Sequence, residues 1–204
     1  MKQFTRIEPT IVQEYGDKFK RVGVIKHFQT DDGLHHEFTT LGAEGYRSGG
    51  VIALTPDNKV VTSLQFRAGP ERWLYELPAG GFNEGEDPQD AAMRELREET
   101  GYVSDEVKFL GTSSRGGYNN ETWYYYIARN CRLAESGREL DKEEADQGIE
   151  VRVISIDEFI SHAKNDEMSD PHAVLMAYDL LKAIEAGAEH VDWPPHTDVA
   201  IEAA

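Results

Sequence analysis

Residues 80–102, GGFNEGEDPQDAAMRELREETGY, limit what this chain can become more than any other stretch. A glycine-bearing loop opens it, acidic residues and Pro88 follow, and Gly101 closes it. Asp87 is a helix N-cap residue, Pro88 suits the first helical position, and Gly101 suits a left-handed C-cap. The punctuation predicts a helix from about Pro88 to Thr100. On it, Glu95 and Glu99 are four residues apart and share a face, with Glu98 three from Glu95. Like charges at that spacing cost roughly a few tenths of a kcal/mol per pair. One reading is a solvated helix in which Arg94 and Arg97 offset the repulsion. The sharper reading is a site for a hard divalent cation. Mg²⁺ takes oxygen ligands, few of them from protein, and fills its shell with water and substrate phosphate.

The fixed points Gly80, Glu86, Arg94, Glu95, Leu96, Glu98, Glu99, Gly101 and Tyr102 spell G-x5-E-x7-R-E-U-x-E-E-x-G-U, with U apolar and Tyr102 taken as the last U. This stretch resembles the Nudix box at every specified position. Seven of those positions demand a single residue type. At roughly 7% usage per type, a chance match in such a chain is on the order of one in a million. The resemblance implies hydrolysis of a nucleoside diphosphate linked to another moiety, which the box does not identify.

A chain of 204 residues suits one domain with a sizeable core, extended by a further segment. Its formal net charge of −17 argues against sequence-independent nucleic-acid binding and against an anionic membrane surface. It leaves room for a small anionic ligand, because local arginines and a metal reverse the sign inside a pocket. Cys131 is the sole cysteine, so neither an intrachain disulfide nor a cysteine zinc site is available. The first residues, MKQFTRIEPT, lack the apolar core of a signal peptide, and no stretch approaches a membrane span. A cytoplasmic protein is expected.

FKRVGVIKHFQT and LHHEFTTLGAEG lean towards strand and flank Asp31–Gly33, a hairpin signal. His27, His35 and His36 raise a metal reading. Neighbouring strand residues point to opposite faces, so solvent-facing positions are favoured instead, and Phe28 reads as hairpin packing. VIAL and VVTSLQFR flank a Pro-Asp-Asn turn and predict a second hairpin ending at Arg67. LYELPAGGF then carries the chain into the glycine loop, with Pro78 marking a strand end. Beyond the helix, VSDEVKFLGTSS and TWYYYIARNC read as strands around a 115–121 loop, with Trp123–Tyr126 packing in the sheet. Residues 133–148 are acidic and read mostly as loop. EVRVISI reads as a strand, followed by a short helix over about 157–164 and a last one ending at Gly187. Strand runs interleaved with such helices predict an α/β fold, an α/β/α sandwich.

QFRAGPERWLYELPAGGF and ADQGIEVRVISIDEF look like the corresponding runs of ADP-ribose pyrophosphatases and other nucleoside-diphosphate-sugar hydrolases. The resemblance covers roughly residues 20–185 and implies a Nudix-type sandwich with a mixed sheet and an N-terminal antiparallel β extension. It divides the chain into that extension at 1–48, a hydrolase domain at 49–188 and a tail at 189–204. It implies a homodimer, with the extension helping to build the interface and the base pocket. Glu95 and Glu99 match the principal Mg²⁺ ligands, with Mn²⁺ a possible substitute. Glu98 is close enough to help, and the Ala79 carbonyl matches a backbone ligand. Arg67 matches a pyrophosphate-contacting arginine, while Gly80 lets the backbone approach the ligand. Glu76 orients the loop or touches substrate, and Glu86 with Arg94 braces loop against helix. The general base falls among Glu143, Glu144 and Asp146, or is a box glutamate such as Glu99. One departure concerns substrate. Gly116 and Gly117 stand where the ADP-ribose branch usually has proline. Tyr118 matches instead the placement of a tyrosine in dinucleoside polyphosphate hydrolases. The alternatives are therefore a hydrolase of dinucleoside polyphosphates or NADH, and a non-catalytic ADP-ribose sensor. A decapping role is disfavoured by the charge.

Overall fold

A computed structural model of the chain describes residues 1–16, 20–138 and 148–188. It divides into two units: Met1–Arg47 with Ser113–Trp123, and Ser48–Thr112 with the chain from Tyr124 onward.

The first unit contains an antiparallel sheet of β1 (Phe4–Tyr15), β2 (Arg21–Thr30) and β3 (His35–Leu41), in that order. The turn at Asp31–Gly33 forms as its sequence predicts. Gly33 takes φ +85°, which a side chain would oppose, and its N–H donates to the Thr30 carbonyl at 2.8 Å. β1 carries little alternation, since nearly all its residues are exposed, and pairing with β2 defines it instead. Of the histidines, His35 is exposed as expected, while His27 and His36 are partly buried. His36 stacks on Phe38 at 6.1 Å, inside a cluster with Phe4 and Phe28. The His27 Nδ1 lies 2.6 Å from the Pro9 carbonyl. Phe28 is thus a packing residue of this sheet. The 115–121 loop joins the end of β3 through Leu41 N–H to Tyr118 O and Asn120 N–H to Leu41 O, both 2.8 Å.

The larger sheet runs β12 (Glu150–Ile154), β5 (Val60–Arg67), β4 (Arg47–Leu54), β10 (Thr122–Arg129), β9 (Glu106–Ser113). β6 (Arg72–Glu76) pairs with β5, and β7 (Ala79–Gly81) pairs with β4, both antiparallel. The break between β6 and β7 falls at Leu77–Pro78, where proline withdraws a ladder donor.

Alternation along the central strands separates two faces. Val51, Ala53, Val61, Tyr126 and Ala128 pack against Ala92 and Leu96 of the box helix. On the other face Tyr75 stacks on His162 of α2 (Ile156–Lys164), with ring centroids 3.8 Å apart. The buried Tyr125 hydroxyl donates to Asp170 at 2.6 Å, just before α3 (Pro171–Glu185). Helices therefore cover both faces of the second unit's sheet. A capping box sets the start of α2: Ser155 Oγ accepts from Glu158 N–H, and Glu158 reaches back to Ser155 N–H at 2.9 Å.

The first turns of the box helix approach the sheet closely at Gly49, where the floor has no side chain. A Cβ on Gly49 would come 2.9 Å from the Phe82 ring and 3.3 Å from Ala92 Cβ. The register places Gly49 opposite Gly80 and Gly50 opposite Ala79. Leu96, fully buried between helix and sheet, is the main apolar anchor of this contact. Leu96→Ala is expected to cost about 3 kcal/mol from lost burial and the cavity left behind. Urea unfolding, read as a lower midpoint at unchanged slope, checks this.

Candidate active site

The box helix begins and ends where its punctuation predicts. Asp87 has extended backbone, and its carboxylate accepts from Gln89 N–H at 2.8 Å. Pro88 opens α1 (Pro88–Glu95). The last turn, Leu96–Thr100, widens to a π-helix, which the sequence pattern does not signal. Gly101 closes it at φ +78°, its N–H donating to the Arg97 carbonyl at 2.8 Å. Single π turns are uncommon and tend to sit at functional sites.

Ala91, Ala92 and Leu96 face inward, and the same rotation places the acids along the flank. Glu95 and Glu99 are buried, 8% and 4% exposed, whereas the Glu98 side chain is 36% exposed. Burying carboxylates is costly without compensating charge. Arg94 supplies much of it. Its Nε and Nη2 donate to the two Glu86 oxygens at 2.8 and 3.0 Å. Nη2 also donates to the Gly81 carbonyl at 3.0 Å. Nη1 donates to Glu95 Oε1 at 2.7 Å and Glu98 Oε2 at 2.9 Å. One guanidinium thus ties the loop to two helix carboxylates. The expected bracing by Glu86 and Arg94 is present, and the reach to Glu95 and Glu98 adds to it.

Arg67, at the end of β5, donates through Nε and Nη2 to both Glu76 oxygens. This bidentate pair raises the Arg67 pKa, first through the Glu76 hydrogen bonds and further through the charges of Glu76 and Glu99. Glu76 is buried, and its partner stays partly exposed. Arg67 therefore belongs to the same electrostatic group as Glu99.

Gly80 has tight surroundings. A Cβ built on it would lie 2.2 Å from Glu95 Oε1. The Glu95 carboxylate therefore rests directly on the Gly80 backbone, next to Ala79. Among the described residues no group of three or more acidic, histidine or cysteine side chains stands ready-made around a metal position. The donors nevertheless fit a hard cation. They are oxygen only, the acids named outnumber the two guanidinium groups, and Glu95 lies against bare backbone.

The structure brings together Ala79, Gly80, Glu86, Arg94, Glu95 and Glu98, and places Arg67 and Glu76 within the field that reaches Glu99. Tyr118 belongs to the first unit and is 62% exposed. Glu143, Glu144 and Asp146 lie outside the described residues. Sequence reasoning missed Gly49 and Arg138. The only local hint at Gly49 was a Gly-Gly pair before an apolar run, and Arg138 carried no signal.

A helix that carries carboxylates on one flank, receives a glycine loop at its start and packs on a sheet covered by helices on both faces defines a class of α/β domain. A family model described as the NUDIX domain matches residues 46–177, well over half of the chain, which belongs to that family. The methanol dehydrogenase activator of Bacillus methanolicus is 34% identical over 126 residues, 61% of this chain and 66% of that protein. The ADP-ribose pyrophosphatase of Bacillus subtilis (strain 168) is 32% identical over 121 residues, 59% of this chain and 64% of that protein. The chain spans just under two thirds of the length of each of these relatives. A solved structure of an ADP compounds hydrolase matches with a TM-score of 0.71, over 89% of this chain and 96% of that one. At 14% identity, that likeness is one of fold.

Two outcomes test this geometry. Gly80→Ala places a methyl where the Glu95 carboxylate lies and should displace it. Mn²⁺ affinity of the folded variant, read by calorimetry, is expected to fall about 10-fold or more, as when a supporting contact of a metal site is lost. The second concerns acid. Arg94 hydrogen bonds, then the Asn83 N–H, hold the Glu86 carboxyl at about 2, below its ordinary 4.5. A carboxyl lowered on folding adds stability above its unfolded pKa that is lost as pH falls through its folded one. Glu86→Gln should therefore destabilise the protein at pH 7 and bring no further loss near pH 2. Urea midpoints of both proteins across that range check it.

Proposed function

We propose that the protein hydrolyses the pyrophosphate bond of ADP-ribose or a related nucleoside-diphosphate sugar, giving a nucleoside monophosphate and a sugar phosphate. The observation that carries this reading is the Glu95 carboxylate resting on Gly80, on the same flank as Glu98 and Glu99. The likeness to a relative named ADP-ribose pyrophosphatase supports the substrate class. Glu95, Glu98, Glu99 and the Ala79 carbonyl would hold Mg²⁺, or Mn²⁺ in its place. When bound, the metal supplies charge neutralisation at phosphoryl oxygens and activation of water.

The chain's own residues supply the remainder. Arg67 commits Nε and Nη2 to Glu76, which aims its other edge at anionic phosphoryl oxygens. Glu76 acts through this orientation of Arg67. Arg94 and Glu86 keep the loop closed on the helix, so the Ala79–Gly80 backbone stays beside Glu95. The proton of the attacking water passes to a carboxylate, from Glu143, Glu144 or Asp146 or from Glu99 itself. Residues 1–48 serve homodimerisation and the base pocket, and residues 49–188 form the catalytic domain. The partner is a small nucleotide. The net charge of −17 disfavours nucleic acid, and no helix among the described residues is long and apolar enough to cross a membrane. A cytoplasmic location accords with this reading.

Glycine at 116 and 117, with Tyr118 exposed on the same loop, favours a second reading as a hydrolase of dinucleoside polyphosphates or NADH. A panel of ADP-ribose, sugar nucleotides, NADH and diadenosine polyphosphates, run with Mg²⁺ and with chelator, separates the two by product. Metal-dependent release of AMP and ribose phosphate is expected. Metal-dependent cleavage of polyphosphates alone would move the specificity to the second reading, and binding without turnover would point to a sensor. Glu99→Gln is expected to lower turnover at least ~100-fold while the fold persists. Near-normal turnover in the folded variant would remove Glu99 from the ligand set.

A further inference from the structure

The C-terminal end of the box helix is held from outside the box. β8 (Tyr102–Val103), directly after Gly101, pairs with β11 (Arg132–Leu133), and Ala134 N–H donates to the Gly101 carbonyl at 2.8 Å. A turn closed by Gly137 N–H to Ala134 O then lays the chain over the helix end. A Cβ on Gly101 would lie 3.2 Å from both the Gly137 carbonyl carbon and the Arg138 nitrogen. From there Arg138 Nε donates to the Glu99 carbonyl at 2.8 Å, and its Nη2 donates to the Ile149 carbonyl at 3.0 Å.

We propose that Arg138 is a positioning residue for the box carboxylates, fixing the Glu99 backbone by tying its carbonyl to that of Ile149. This rests on the hydrolase reading above. A helix C-terminus presents unsatisfied carbonyls and partial negative charge, and a guanidinium answers both. Here the carbonyl it holds belongs to Glu99, one of the two buried carboxylates of the box helix. The supported turn is the π turn, so Arg138 steadies Glu99 where regular helical bonding is interrupted. Residue 138 is exposed and outside the core, so replacing it leaves the packing intact.

Arg138→Met removes both hydrogen bonds, and Arg138→Lys keeps the charge but lacks the fork that meets two carbonyls at once. For folded Arg138→Met, kcat is expected to fall about 10- to 100-fold with KM changed by less than about 3-fold, the signature of misplaced groups rather than lost binding. Mn²⁺ affinity of the substrate-free protein, read by calorimetry, is expected to weaken in parallel, with Arg138→Lys intermediate in both. A merely structural role would lower Tm and leave kcat per folded molecule and metal affinity where they were. Arg138→Met that is folded by circular dichroism, with kcat and Mn²⁺ affinity within about 2-fold of the parent, overturns the proposal. If that variant does not fold, Arg138→Lys with unchanged kcat and Mn²⁺ affinity overturns it equally. The kinetics use whichever nucleotide of the panel the parent cleaves. A parent that cleaves none removes the hydrolase reading, while the Mn²⁺ comparison still decides the role of Arg138.

Discussion

The Arg94 guanidinium is the interaction on which the site depends. Three glutamates along one flank of a short helix repel one another, and two of them are buried. Without a cation among them, the helix would favour letting its end unwind or its acids protonate. Arg94 reaches Glu86, Glu95, Glu98 and the Gly81 carbonyl together. It offsets charge on the helix and fastens the preceding loop in the same contact. The loop then presents the Gly80 backbone to Glu95, and everything proposed for phosphate and metal follows from that approach. Arg67 and Glu76 repeat the logic on the neighbouring strands, with a buried acid orienting a partly exposed base.

The helix serves two masters through its rotation. Ala92 and Leu96 are small or apolar and sit on a floor that includes Val51, Ala53 and Val61. The acids lie beside that stripe, because a helix displays successive residues at different angles. Burial of the inner stripe therefore sets how deep the outer flank sits. Loss of packing at Leu96 and loss of carboxylate geometry are coupled through one rigid element, even though the two residue sets do opposite things with water.

Local chemistry was legible in the sequence, and distant pairing was not. Asp87, Pro88 and Gly101 act on their own backbone, so the helix could be delimited from them alone. The turn at Gly33 is of the same kind. Glu86 and Arg94 could be paired because they share one loop and helix. β1 was harder, since nearly all of its residues face solvent and its partner strand defines it. The π turn depends on how Thr100 and Gly101 close the end, with the Thr100 hydroxyl donating to the Leu96 carbonyl, and no periodicity announces it. Arg138 lies 39 residues from Glu99, and a contact with a backbone carbonyl leaves no trace in the pattern of side chains. His36 reads as a solvent-facing strand residue until Phe4 of another strand and Phe38 of its own pack against it, with Phe28 packed on both.

The facing pair Gly49 and Gly80 has a consequence of its own. Two strands meet there with no side chain from either, and Phe82 lies over one glycine as Glu95 lies over the other. The depth of the carboxylate nook is consequently set by peptide planes, whose spacing is a constant of sheet geometry, and not by rotamers. Width and charge around it can drift as neighbouring residues change. Depth cannot, so a bound group would meet the same hard floor whatever specificity the rim acquires.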